Sequence, residues 1–169
     1  TNGIGLATAR RLAQENAKVL ICSRKEANLN NALKQLRDEG YDVNGVVCHV
    51  AKLEDRKKLL HEAEKMGGID ILVSLAGANP APGPLMECTE SAWDKIFDTN
   101  VKASFFLAKE SFPLMKNRQG ASITFMSTIA AYAPFDGISA YGASKASLLS
   151  LTNSMANELA QYDIRVNCV

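Results

Sequence analysis

The chain opens Thr1-Asn2-Gly3-Ile4-Gly5-Leu6-Ala7-Thr8-Ala9-Arg10 and continues through Lys18-Val19-Leu20-Ile21-Cys22 to Ser23-Arg24-Lys25. This stretch decides the fold. Two glycines stand directly before a helical pattern over residues 6–15. A short apolar run over 18–22 suits a buried strand, and that strand ends on a hydroxyl and two cations. Glycine lets the backbone approach a pyrophosphate closely, and a helix start supplies free N–H groups and a favourable dipole. A plain tight turn ahead of a helix would read the same way, so the half-motif takes its weight from the residues downstream of it.

Outward from this stretch the alternation repeats. Leu29, Leu33 and Leu36 give helical spacing over 26–39, stopped by Gly40. Residues 43–50 are rich in valine and read as a strand, 53–66 as a charged helix ended by Gly67-Gly68, and 69–74 as another buried strand. A loop rich in proline and glycine runs from Gly77 to Pro84. Thr89-Glu90-Ser91-Ala92 opens a helix predicted to reach about Met115. A strand over 121–127, a loop through Pro134 and Gly137, a helix over 141–161 and a last strand from 164 complete the pattern. Strand and helix in this order predict the α/β class: a doubly wound, Rossmann-type parallel sheet forming a single domain over 1–169. Such sheets bind ligands beyond the carboxyl ends of their strands, here after Cys22, Val50, Ser74 and Ser127.

Composition narrows the function. Nineteen basic and 18 acidic residues leave a net charge of +1, so no positive field favours nucleic acid. No uncharged apolar stretch is long enough to span a bilayer. The four cysteines form no CxxC pair and there are two histidines, which supports neither a metal site nor a disulfide framework. Free thiols on buried strands fit a reducing, intracellular compartment.

Four positions carry chemistry. Ser23-Arg24-Lys25 stands about 20 residues beyond the glycines, where a dinucleotide's adenosine ribose lies. An acidic residue there would take a free 2′-hydroxyl; a hydroxyl with two cations matches a 2′-phosphate, hence NADP(H), although a solvated basic turn is the plain alternative. Tyr141 and Lys145, in Tyr141-Gly142-Ala143-Ser144-Lys145, are four apart and share a helix face. A phenol with a pKa of about 10 is a poor proton shuttle near neutrality, and a neighbouring ammonium would lower it. Taken alone, such a pair is an ordinary exposed helix pair. Ser127, at the end of the preceding strand, can reach the same carbonyl oxygen as Tyr141. Asn100, inside the long predicted helix, is unfavourable there unless it has a task such as holding a water.

Taken in order, Asn2-Gly3-Ile4-Gly5, Asn100, Ser127, Tyr141–Lys145 and the ending Ile164-Arg165-Val166-Asn167 resemble the short-chain dehydrogenase/reductase family over essentially the whole chain. Cys48-His49-Val50, Asn79-Pro80 and Trp93-Asp94-Lys95 are similar to its NADP-dependent carbonyl and retinal reductase branch of peroxisomes and mitochondria. The resemblance implies that Tyr141 is the general acid in reduction and the base in oxidation. It implies that Ser127 polarises the substrate oxygen, and that Lys145 binds the nicotinamide ribose and lowers the pKa of Tyr141. Asn100 would hold a water that connects Lys145 to solvent. Gly3, Ile4 and Gly5 would line the pyrophosphate, Ser23, Arg24 and Lys25 the 2′-phosphate, and Val50, Ala76 and Gly77 would also contact the cofactor. The substrate would be a ketone, aldehyde, quinone or retinoid; the assembly a dimer or homotetramer; the compartment peroxisome, mitochondrion or cytoplasm.

Two positions depart from the family pattern. Leu75 stands where the family has an Asn that ties strands together, and His49 where most members have an Asp for adenine. The family's central first strand would lie before Thr1 and its substrate-covering segment after Val169, so a longer natural protein is expected. Leu75 and the missing ends leave a second reading open: a non-catalytic dinucleotide-binding or interaction protein that kept the fold.

Overall fold

The computed structural model describes residues 2–169. They form two compact units, one up to Gly68 and one from Ile69 to Val169. Each unit is built of parallel strands joined through helices, the α/β arrangement that the sequence predicts.

The first unit runs α1 (Gly3–Gln14), β1 (Val19–Ser23), α2 (Glu26–Asp38), β2 (Val43–Val47) and α3 (Leu53–Lys65). β1 and β2 pair in parallel, with Val19 opposite Val43 and Ser23 opposite Val47. Parallel neighbours need a crossover, and α2 supplies it. Its Leu29, Leu33 and Leu36 are buried with Ala9 and Ala13 of α1 and with Val19 and Val43. Gly45 makes this contact close: a Cβ there would lie 2.8 Å from Leu29 Cδ1 and 2.9 Å from Leu33 Cδ1.

The second unit runs β3 (Ile71–Ser74), α4 (Glu90–Phe97), α5 (Ala103–Met115), β4 (Ser122–Phe125), α6 (Ser139–Leu159) and β5 (Arg165–Cys168). β4 lies between β3 and β5 and is parallel to both, with Ser74 opposite Phe125 and Phe125 opposite Cys168. Ile123 and Phe125 are fully buried and pack with Met115, Leu148 and Ile164.

Pairing among the described residues makes a two-stranded and a three-stranded sheet, and none of them forms the central strand that the resemblance places before Thr1. One expectation changes. The sequence predicts one helix from Thr89 to Met115. Instead, a π-helical turn over Asp98–Lys102 separates α4 from α5. Such turns widen the hydrogen-bonded ring and often accompany functional sites, and this one carries Asn100. Other helix and strand ends move by one to three residues.

Phe125 carries the packing between sheet and helices in the second unit. Phe125→Ala should destabilise the protein by about 3–5 kcal/mol, read as a lower urea midpoint.

Candidate active site

In the first unit the glycine turn forms the start of α1. Gly3 has φ of 54°, a left-handed value that favours glycine, and a Cβ there would meet nothing within 4 Å. Asn2 precedes the helix without a side-chain cap, and Ile4 is exposed. The first N–H groups of a helix lack intrahelical partners, and no side-chain cap from Asn2 takes them up here. Ser23 ends β1, and Arg24 and Lys25 follow it, exposed, ahead of α2. Val50 is buried past β2, and its carbonyl accepts from Arg56 Nη1 at 2.7 Å. His49 donates its backbone N–H to Asp55 Oδ2 at 2.9 Å, and its Nδ1 accepts from Ala51 N at 3.3 Å.

In the second unit four predicted positions come together. Ser127 follows β4 and is buried; its Oγ donates to the Lys145 carbonyl at 3.1 Å. Lys145 is 2% exposed, with Nζ 2.7 Å from the Met126 carbonyl and 5.8 Å from the centre of the Tyr141 ring. Asn100 is fully buried. Its Oδ1 accepts from Ala78 N at 2.7 Å, and its Nδ2 donates to Ala78 O at 3.1 Å and to Ser144 Oγ at 2.9 Å. The carbonyl of Asn100 accepts from Ser104 Oγ at 2.9 Å, and Ser104 is 3.2 Å from Ser74 Oγ. Ala76 and Gly77 lie in the loop after β3. A Cβ on Gly77 would sit 3.5 Å from Lys145 Nζ and 3.7 Å from Asn100 Oδ1.

Burial pushes the Tyr141 phenol up from its ordinary value, and the Lys145 ammonium is turned onto the Met126 carbonyl. Burial also pushes the Lys145 amine down, with Cys168 acting weakly in the opposite sense. Leu75, lacking an amide, leaves the polar tie at the end of β3 to the neighbouring pair Ser74 and Ser104.

Sequence reasoning missed three supports. Gly142 is buried where a Cβ would fall inside van der Waals contact with the Ala130 carbonyl oxygen. Met126 and Ala78 act through backbone groups, which no side-chain motif reveals. A glycine in the first turn of a helix, where it costs helix propensity, is the one available signal.

Residues 1–169 match the short chain dehydrogenase family, and the chain belongs to it. It is 51% identical over its full length to human dehydrogenase/reductase SDR family member 4, covering 61% of that protein. It is 49% identical to human dehydrogenase/reductase SDR family member 2, mitochondrial, covering 60% of it. The chain thus spans about three fifths of the length of these curated relatives. Among solved structures, an actinorhodin polyketide ketoreductase with NADPH matches with a TM-score of 0.93 and 31% identity, over 98% of this chain and 64% of that one.

Gly142→Ala should push the first turn of α6 away from Ala130. A loss of about 1–3 kcal/mol is expected, measured by thermal unfolding, with α6 otherwise intact by circular dichroism.

Proposed function

We propose that the protein transfers hydride between NADP(H) and a carbonyl/alcohol carbon, with Tyr141 moving the proton. The observation that carries this reading is the convergence of Ser127, Tyr141 and Lys145: Ser127 hydrogen-bonds to the Lys145 backbone, and Lys145 shares a helix face with Tyr141. Family membership and the NADPH-bound ketoreductase neighbour support it.

The residues fit the cofactor. In the first unit the open glycine turn at Gly3, Ile4 and Gly5 suits a pyrophosphate, and Ser23 with exposed Arg24 and Lys25 suits a 2′-phosphate. Val50 would border the adenine side. In the second unit Ala76 and Gly77 would border the nicotinamide half, and Lys145 would bind its ribose. The cofactor, when bound, supplies the hydride.

Ser127 would orient and polarise the substrate oxygen, releasing the Lys145 carbonyl to do so. Tyr141 would give that oxygen a proton in reduction and take it back in oxidation. Asn100 would secure the Gly77 loop through Ala78 and border the gap beside Lys145, where the water leading to solvent would lie. The raised phenol pKa sets the sign of the pH response. Tyr141 stays protonated through neutrality, so reduction holds level there and falls as pH rises through the raised pKa.

Ketones, aldehydes, quinones and retinoids are the proposed substrates. A homo-oligomer, dimer or tetramer, is proposed through the exposed apolar face where Trp93 stacks on Phe97 at 4.5 Å. The name of one relative favours a mitochondrial location, with peroxisome and cytoplasm as the alternatives. No described helix is long and apolar enough to cross a membrane.

Tyr141→Phe should lower turnover about 10²–10⁴-fold while NADPH binding, followed by its fluorescence, is kept. Unchanged turnover would overturn the assignment. Binding without turnover on any ketone, aldehyde or quinone would favour the non-catalytic dinucleotide-binding reading, which the inward-bonded Ser127 and Lys145 also allow. Arg24→Ala should weaken NADPH roughly 10-fold or more while leaving NADH unchanged, as loss of a charge-assisted bond demands.

A further inference from the structure

We propose that Ser144 is a positioning residue that couples the first turn of α6, and with it Tyr141, to the loop after β3 through Asn100. The hydroxyl is fully buried and both of its hydrogen-bonding functions are used. It accepts from Asn100 Nδ2 at 2.9 Å and donates to the Tyr141 carbonyl at 2.6 Å. Asn100 in turn grips both the N–H and the carbonyl of Ala78. Four hydrogen bonds, two of them side by side between Ala78 and Asn100, therefore link the backbone of Ala78, beside Gly77, to the backbone of Tyr141. Every bond in it is buried or part-buried, where a lost partner leaves a polar group unpaired.

The other bonds at this turn stay within it or reach elsewhere: Gly142 N–H donates to the Ile138 carbonyl at 2.8 Å and Ser139 Oγ to the Phe135 carbonyl at 3.5 Å. Ile138, ahead of α6, provides no side-chain cap. Ser127 and Met126 bond to Lys145, one turn further on, and Gly142 rests on the Ala130 carbonyl. None of these ties the Tyr141 backbone to the β3 loop. The π-helical turn explains how the link is possible. It leaves Asn100 aimed away from its own helix, so the amide serves the β3 loop and α6 together. Thr152, further along the same helix α6, only bonds back to Leu148. Ser144 bonds back within the helix and also outward.

The charged group facing the Tyr141 ring is Lys145, on the same helix, and burial is what raises the phenol. A turn released from Asn100 would let the ring relax toward solvent. The test is an absorbance titration of the phenolates of the full-length protein, with Tyr141 isolated by difference against Tyr141→Phe. Ser144→Ala should bring the Tyr141 midpoint down by about half a unit or more, toward the ordinary phenol value. Ser144→Cys keeps the size with a weaker donor and acceptor, so it should fold and shift the midpoint less, in the same direction. Thr152→Val removes a buried hydroxyl from the same helix and should leave the midpoint in place.

An unmoved midpoint in both Ser144 variants overturns the proposal, even if both lose stability. An equal shift in Thr152→Val overturns it too, because general loosening of α6 would then be the cause. The inference rests on the proposed role of Tyr141 only for its catalytic consequence, a fall in kcat on the order of 10-fold at unchanged KM for NADPH. The titration needs no substrate, so absence of turnover in the unaltered protein would count against the function alone.

Discussion

β4 hydrogen-bonds on both sides, to β3 and to β5, and the candidate site of the second unit gathers at its carboxyl end. A parallel strand cannot be joined to its neighbour by a tight turn, so each pairing forces a helical crossover. Those crossovers bring the chain back to the same edge each time. The Gly77 loop, Ser127 and the start of α6 therefore meet although they are far apart in sequence. Burial of Ile123 and Phe125 holds β4 in register, and register sets where Ser127 stands.

Around that edge the interior is unusually polar. Ser74, Asn100, Ser104, Ser127, Ser144 and Lys145 are all buried. Each has a hydrogen-bond partner, which is the condition under which buried polar groups are tolerated. The arrangement costs hydrophobic area and returns definition: side chains with fixed partners hold fixed positions. Lys145 shows the balance most clearly. Its ammonium is destabilised by burial and is held by the Met126 carbonyl in place of water.

Much of this was legible in residue order. Period and turn residues located all five strands and the helices, because apolar spacing and glycine stops are local signals. The π-helical turn at Asp98–Lys102 was not legible, since no glycine, proline or change of apolar spacing marks it in the sequence. Asn100 itself stood out as an awkward helix residue, and its side chain bonds across to Ala78 and Ser144. Gly142 and Ser144 stand within the Tyr141 motif yet carried no visible role, because their partners, Ala130 and Asn100, lie elsewhere in the chain. The direction of the Tyr141 shift was also hidden: it depends on burial and on where the Lys145 amine points.

The opening stretch illustrates the division. By itself the sequence determined the glycine turn at Gly3, the strand ahead of Ser23 and the cations at Arg24 and Lys25, since backbone freedom and charge belong to residues. It likewise determined that Tyr141 and Lys145 share a face, as helical pitch requires. Only the tertiary structure decided that Asn100 serves Ala78 and Ser144, that Lys145 rests on Met126, and that burial raises the Tyr141 phenol. Those outcomes depend on distance and desolvation between segments, quantities that exist only once the strands have paired.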